Sequence, residues 1–551
     1  MSLWAGFARR WLDLPAPRTR TLHSREWLAA RDGTRLATAV ERPQSSEART
    51  TVIVRSAASI DAARSPVRAA ARLLAEQGHA VVIQTCRGLH SSEGHFRPFA
   101  DEARDGEDLL EWATRQPWFR RPLVLAGFGY AGHAAWAGLS GDLPIDGLIV
   151  GFAARDPYAW LHCDRTLRLE AALELAVGLS VADSQPSRSP DLARALRYRP
   201  LREADRVALR RIPWWREWLD HPRHDAYWEE RTPRPTQRPG AALLIGAFGH
   251  PTLEAQLEDC TGLREASDSQ SPVRLLVGAW GDDSGTRRER RRRAAALRRE
   301  GARAILDFLD ALYEGRGHGS PVRGFVAGAE RWRDAHVWPP ADTRERLLHL
   351  AGDGRAGDGR AGDGSAAANA QGELRDDPPD EQAADPYLYD PADAPSWASE
   401  VRAAPPRADV LRYTSAPFDG GLEIAGSPRV DLFAASDAPR TDFAVRLLAV
   451  APDGEAIAIS QGLARDALRE RTPEPTGSIE ISLAPLWRQL APGMRLRLEV
   501  SSSGFPHYDR HSNTLEAPMR AADADGVVAL QHIWHDSRHP SRLRLPVLQP
   551  L

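Results

Sequence analysis

The sequence predicts an α/β protein with an all-β C-terminal part, and three patterns support this fold class. Between residues 51 and 155, short apolar strands alternate with amphipathic helices, which is typical of a parallel sheet covered on both faces. The strand pattern returns at 242–246 and 273–278, after a Trp-rich helical stretch. Beyond residue 385, alternating strands are separated by turns such as Pro452-Asp453-Gly454, which indicates a β-sandwich or jelly roll.

Domain boundaries follow from these changes of pattern along the 551 residues. We expect an α/β core over residues 20–155 and 236–345, with a helical cap inserted at 156–235. A jelly-roll domain is expected over residues 385–551. The Ala-Gly-Asp-Gly repeats at 351–364 are too few for a calcium-binding β-roll. Together with the stretch after them, they predict a flexible linker or long loop over residues 346–384.

Composition narrows the range of functions. A hydrophobic content of 42% excludes global disorder, and a net charge of -3 argues against nucleic acid or a membrane surface as a partner. Cys86, Cys163 and Cys260 lack metal-ligand spacing, so we expect no metal. No cofactor is expected either. The order of charged and apolar residues at 1–13 is the reverse of a signal peptide, and no apolar window is long enough to cross a membrane, so we expect a cytoplasmic location. Eight arginines lie between Arg287 and Arg299, and without interleaved aromatic residues they indicate a solvated helix face.

The glycine-rich segment at 127–132 is the most informative motif. It reads Gly127-Phe128-Gly129-Tyr130-Ala131-Gly132, and it follows an apolar strand at 123–126 and precedes a helix at 134–139. A strand, a Gly-x-Ser-x-Gly turn and a helix form the nucleophile elbow of α/β-hydrolases, which exposes a serine hydroxyl above the sheet. In this chain the serine position is Gly129, which has no side chain and cannot form an acyl-enzyme.

The same glycines also match the dinucleotide-binding pattern Gly-x-Gly-x-x-Gly. That pattern is persuasive when it closes the first strand of a βαβ unit and an acidic residue follows about 20 residues later. Here at least two strands precede it, and the nearest acidic candidate, Asp156, comes late. The hydrolase interpretation is therefore preferred.

Several further motifs resemble those of the cocaine esterase and X-Pro dipeptidyl-peptidase family. The resemblance covers roughly residues 25–545, and its motifs run in the same order: Arg31-Asp32-Gly33-Thr34-Arg35-Leu36, Gln84-Thr85-Cys86-Arg87-Gly88, Gln116-Pro117-Trp118, Trp215-Arg216-Glu217-Trp218-Leu219-Asp220-His221-Pro222, Tyr389-Asp390-Pro391, Thr441-Asp442-Phe443 and Ser502-Ser503-Gly504-Phe505-Pro506. The resemblance implies an α/β-hydrolase core with a helical cap and a C-terminal jelly roll. It also implies Ser-Asp-His hydrolysis of esters or amides, often with dimerisation.

At the catalytic positions that the resemblance implies, the residue types differ. The nucleophile position is Gly129, the acid position is His250 and the base position is Asp282. Ala58 occupies the place of a tyrosine that supplies one oxyanion donor, whereas the backbone N–H of Tyr130 is retained. We expect that these triad-equivalent positions are not catalytic.

Two classes of function remain. The first is a pseudoenzyme that binds a small acyl or peptide-like ligand or a protein partner, and we expect it to be a homodimer. The sequence does not distinguish this function from a purely structural role. The alternative is an active ester or amide hydrolase with rebuilt chemistry, in which His250 activates water beside Gly129. Cys86, Ser56, Ser59 and His133 are the other nucleophile or base candidates near the elbow, and each has an ordinary structural explanation.

Overall fold

A computed structural model describes residues 9–548, except 45–46, 62–64, 184–188, 267–271, 281–286, 318, 353–370, 379, 398–406, 469–470 and 472. The described residues form a ten-stranded sheet and a thirteen-stranded sheet, together with the helices given below. The first sheet is parallel at its centre and carries antiparallel strands at both ends. The predicted fold class is confirmed: an α/β-hydrolase core, an inserted helical cap and a C-terminal β-domain.

The strands of the core sheet are buried apolar segments at its centre, as expected for a sheet covered on both faces, and are more exposed at its two ends. In sheet order they are Thr21–Ala29, Arg35–Pro43, Ala80–Thr85, Thr51–Ser56, Leu123–Phe128, Gly147–Gly151, Ala241–Ala247, Val273–Gly278, Val322–Val326 and Arg331–Ala335. The strand before Gly129 thus lies in the middle of the sheet, between Thr51–Ser56 and Gly147–Gly151. Gly129 therefore follows the carboxyl end of a central strand, where ligands bind in open α/β sheets.

Helices cover both faces of this sheet and form the cap. Those of the core are Pro66–Glu76, Glu102–Thr114, Tyr130–Ala137, Leu253–Glu265 and Arg287–Glu314. Those between the strands Gly147–Gly151 and Ala241–Ala247 are Pro157–Leu161, Leu169–Asp183, Leu192–Arg197, Ala204–Ala208, Pro213–Asp220 and Ala226–Glu229. The cap stretch 156–235, in which no strand is expected, also contains a two-stranded hairpin, His162–Cys163 with Thr166–Leu167. Each of its strands has only two residues, too few to give a sequence pattern.

The second sheet forms the C-terminal domain around a separate apolar core. Its strands are Thr343–Ala351, Gln371–Arg375, Asp385–Tyr389, Leu411–Ser415, Leu422–Gly426, Arg429–Ser436, Thr441–Val450, Ala456–Leu468, Ser478–Ser482, Leu486–Leu490, Arg495–Ser501, Ala529–Trp534 and Arg542–Leu548.

The expected linker over residues 346–384 is wrong, because part of it belongs to this sheet. Thr343–Ala351 pairs antiparallel with the last strand of the chain, and Gln371–Arg375 pairs with Leu411–Ser415. Leu350 and Leu374 are buried in the domain core. The β-domain therefore starts near residue 343 rather than 385, and the core ends before 345. Residues 353–364 of the repeats lie outside the described residues.

A buried arginine connects the cap to the β-domain. The side chain of Arg465 donates to a carboxylate oxygen of Asp509 (2.6 Å) and to Thr166 Oγ1 (3.2 Å) in the cap hairpin. The backbone N–H of Arg465 donates to Asp164 Oδ2 in the same hairpin (3.2 Å). On the other side, the backbone N–H of Ala327 donates to the carbonyl of Trp487 (3.0 Å), which joins core and β-domain.

Among the described helices, none combines the length and apolar character needed to cross a membrane.

Candidate functional site

The segment around Gly129 folds as a strand, a sharp turn and a helix. The strand ends at Phe128 and the helix begins at Tyr130. Gly129 has φ 56° and ψ -127°, a backbone conformation that residues with a Cβ rarely adopt. Its N–H donates to the carbonyl of Gly151 (2.8 Å), and its own carbonyl accepts from the N–H of Gly132 (2.8 Å). This is the geometry of a nucleophile elbow.

Glycine is favoured at the three positions of the motif for different physical reasons. A Cβ on Gly127 would lie 2.0 Å from the carbonyl oxygen of Ala131, and one on Gly132 would lie 2.7 Å from Cβ of Ala153. Those two positions must be glycine for the strand and helix to pack. A Cβ on Gly129 would meet nothing within 4 Å. At that position the fold leaves open space, and only the positive φ favours glycine.

Alanine substitutions should separate these two causes. Gly127→Ala should lower the free energy of unfolding by about 3 kcal/mol or more, because the backbone must shift to relieve the overlap. Gly129→Ala should cost only about 1–2 kcal/mol, which is the strain of the positive φ. Urea unfolding of both variants measures the difference. Equal losses would contradict the packing argument.

The side chain of Tyr130 has a structural role, whereas its backbone N–H is a candidate hydrogen-bond donor to a ligand. Its hydroxyl donates to Glu102 Oε1 (2.7 Å) and accepts from the N–H of Phe99 (2.9 Å). Burial raises the pKa of Tyr130 well above its usual value, so the phenol stays neutral. As the first residue of the helix, Tyr130 contributes a backbone N–H that has no partner within the helix. This N–H and the helix N-terminus favour negative charge beside Gly129.

Beneath the elbow lies a buried charge network centred on Arg55. Arg55 is the penultimate residue of the neighbouring strand, and it pairs with Glu102, and with Asp105 at 3.1 Å. All three residues are at most 4% exposed. Because Glu102 also accepts from Tyr130, the network ties the strand Thr51–Ser56 and the helix Glu102–Thr114 to the elbow. Tyr130, the residue directly after Gly129, is therefore held in place.

His250 lies in the turn after the strand Ala241–Ala247. Its Nδ1 lies 2.7 Å from Thr252 Oγ1 and accepts from the backbone N–H of Thr252 (3.3 Å). Burial, with the nearby Arg168 cation, lowers the pKa of His250 to about 4. The ring is thus neutral at pH 7. We assign its proton to Nε2, because Nδ1 accepts a hydrogen bond.

The other two expected positions give less information. Ala58 is exposed, and its backbone N–H donates to Ser56 Oγ (3.0 Å). Its methyl side chain offers no donor to an oxyanion. Asp282 lies outside the described residues.

The alternative nucleophiles have structural partners. Cys86 is fully buried, its Sγ lies 3.6 Å from Glu102 Oε2, and burial raises the pKa of its thiol well above the usual value. Ser56 Oγ accepts from Ala58, and Ser59 Oγ accepts from the N–H of Asp61 (3.1 Å). Burial lowers the pKa of His133 to about 3, so it is neutral and a weak base.

Family models match both halves of the chain. The X-Pro dipeptidyl-peptidase (S15 family) model matches residues 32–281, and the X-Pro dipeptidyl-peptidase C-terminal non-catalytic domain model matches residues 317–544. A cocaine esterase from Rhodococcus sp. (strain MB1 Bresler) is 30% identical over 524 residues, which covers 86% of this chain and 88% of that protein. The chain belongs to the cocaine esterase and X-Pro dipeptidyl-peptidase family.

Solved structures agree with this family fold over nearly the whole chain. An aminopeptidase from the marine sediment archaeon Thaumarchaeota archaeon has a TM-score of 0.77 at 19% identity and covers 96% of this chain and 97% of its own. An α-amino acid ester hydrolase has a TM-score of 0.76 at 21% identity and covers 97% and 98%. At these identities the likeness establishes the fold alone.

In this member of the family, an aromatic row lines the carboxyl edge of the sheet. The ring of Phe128 packs on Phe152 (centroids 5.9 Å apart), and Phe152 packs on His250 and Trp280 (5.4 Å each). Phe128 is 44% exposed although it immediately precedes Gly129. Sequence reasoning missed this row. The only signal was an aromatic residue at or just after each of several strand ends.

Proposed function

We propose that this family member does not carry out Ser-Asp-His hydrolysis and instead binds a small acyl or peptide-like ligand at the elbow. The supporting observation is the turn at Gly129, which has elbow geometry, open space and no side-chain oxygen. The backbone N–H of Tyr130 is suited to a carbonyl or carboxylate oxygen. Phe128 and Phe152 offer apolar surface for the rest of such a ligand.

The geometry of His250 does not favour the alternative of an activated water. A general base needs a lone pair directed at the water. The lone pair of Nδ1 accepts the hydrogen bond from the backbone N–H of Thr252, and the remaining nitrogen, Nε2, carries the proton. The lowered pKa, about 4, also makes His250 a weak base. Its Nε2–H is instead a second hydrogen-bond donor for an anionic or carbonyl-bearing ligand.

The test is reactivity toward serine-directed reagents. The chain should remain unlabelled by a fluorophosphonate probe and hydrolyse p-nitrophenyl esters at the background rate, because position 129 carries no hydroxyl and the described serines near the elbow, Ser56 and Ser59, have structural partners. The Rhodococcus cocaine esterase is the positive control for ester hydrolysis. Labelling at one serine, or turnover abolished by His250→Ala, would overturn the proposal.

Ligand binding is measured separately from hydrolysis. Simple carboxylates and dipeptides that bind the folded chain should raise its melting temperature, since a ligand at 100 times its Kd stabilises by about 2.7 kcal/mol. Phe128→Ala should weaken this effect. Dimerisation, which the family resemblance implies, stays a prediction that sedimentation velocity would test.

A further inference from the structure

The helix Arg287–Glu314 presents arginines to solvent on one side. Arg291, Arg292 and Arg298 are exposed, and no acidic side chain pairs with them among the residues that the structure describes. Leu297 and Phe308, on the other side, are fully buried. The helix is therefore fixed to the core by its apolar side, and the arginine side is free to contact a partner.

Among the residues that the structure describes, the acidic groups nearest to these three arginines pair with other arginines. Glu300 pairs with Arg323 (2.8 Å), Glu330 pairs with Arg293 (2.8 Å) and Asp13 pairs with Arg303. Each of these carboxylates thus has an arginine partner other than Arg291, Arg292 and Arg298. A local positive field is left on a chain whose total charge is -3.

The N-terminal segment adds an aromatic residue to this surface. Residues 9–12 are helical and lie against the arginine helix. Arg299 Nε donates to the carbonyl of Trp11 (2.8 Å), and the Arg298 guanidinium lies over the indole, 5.2 Å from the ring centroid. Trp11 remains 38% exposed, and the neighbouring Arg10 is exposed. We name Arg10, Trp11, Arg291, Arg292 and Arg298 the basic-aromatic face.

We propose that the basic-aromatic face binds the anionic headgroups of a phospholipid membrane. Clustered arginines are attracted to the negative potential of anionic lipids, and tryptophan prefers the boundary between headgroups and acyl chains. The chain would then dock at a membrane surface without crossing it. The net charge of -3 argues against such a partner for the chain as a whole, but the local charge of this face is positive.

The position of Trp11 favours lipid over single-stranded nucleic acid. Binding to single strands uses aromatic rings on which bases stack. Here the Arg298 guanidinium covers a face of the Trp11 ring, which leaves less ring surface for a base. This arrangement was not visible in the sequence, where the arginine run has no aromatic neighbours.

Co-sedimentation of the full chain with vesicles tests the proposal. The chain should bind vesicles of equal parts phosphatidylglycerol and phosphatidylcholine but not vesicles of phosphatidylcholine alone, and raising NaCl to about 0.5 M should weaken the binding. The combined variant Arg291→Gln, Arg292→Gln, Arg298→Gln should bind about 100-fold more weakly. Trp11→Ala should weaken binding without altering its dependence on salt.

The matched control removes three exposed arginines elsewhere: Arg104→Gln, Arg234→Gln and Arg238→Gln. This variant has the same net charge as the first and should bind like the unaltered chain. Equal loss in both variants would mean that only total charge matters, which overturns the proposed face. Absence of binding to the phosphatidylglycerol vesicles at low salt, or tighter binding to single-stranded RNA than to them, would also overturn it.

Discussion

A variant that restores four residue types together should gain ester hydrolysis: Gly129→Ser, His250→Asp, Asp282→His and Ala58→Tyr. Gly129→Ser alone should stay at background. The serine would have space, since nothing lies within 4 Å of the Cβ position, but the base position is an aspartate, Asp282, rather than an imidazole that could take its proton. Triad members act as a unit, and removing one from a serine protease costs about 10⁴- to 10⁶-fold in kcat.

The measurements are p-nitrophenyl ester turnover and fluorophosphonate labelling mapped to residue 129. The control keeps the other three changes and leaves Gly129 unaltered, so any hydrolysis through another nucleophile becomes visible. Strong activity in the single Gly129→Ser variant would contradict the assignment of His250 and Asp282 to the acid and base positions, because a competent base would then already face the elbow.

Arg55→Met should destabilise the core more than any surface substitution, because it leaves Glu102 buried without its cation. Loss of one partner from a buried ion pair costs about 3–5 kcal/mol. Asp105 is less affected, since Arg87 also donates to it (2.6 Å). Urea unfolding followed by tryptophan fluorescence measures the loss.

The matched control is Arg115→Met, in which the arginine and its partner Glu111 are both exposed. Exposed pairs of this kind contribute less than about 0.5 kcal/mol. Similar losses in the two variants would show that the network around Arg55 does not support the elbow.

The elbow could be predicted from sequence because its constraints are local. The apolar strand Leu123–Phe128 and the packing glycines Gly127 and Gly132 specify the turn, and the fold around Gly129 has that form. The predicted start of the β-domain is wrong because the first strand of that domain is fixed by a distant partner and not by local sequence. The strand Thr343–Ala351 is paired with residues 542–548, almost 200 positions away, and is followed directly by a Gly- and Asp-rich repeat. Its local sequence therefore resembled the start of a linker.

Contacts between distant segments were not predictable by the same reasoning. Trp11 meets Arg298, and Phe128 meets Phe152, only after the chain has folded. The tautomer of His250 depends on the turn that brings the backbone N–H of Thr252 to Nδ1. Each of these features changes what the surface or site can bind, and none leaves a periodic pattern.

The positive φ at Gly129 makes evolutionary change at this position asymmetric. A serine here must hold a conformation that costs about 1–3 kcal/mol for a residue with a Cβ, whereas glycine adopts it freely. Replacing serine by glycine at this turn is therefore a stabilising step, and the reverse step is destabilising. A lineage that reaches glycine gains tolerance for other mutations elsewhere in the core. A return to catalysis would require both the missing side chains and stability sufficient to hold the strained turn.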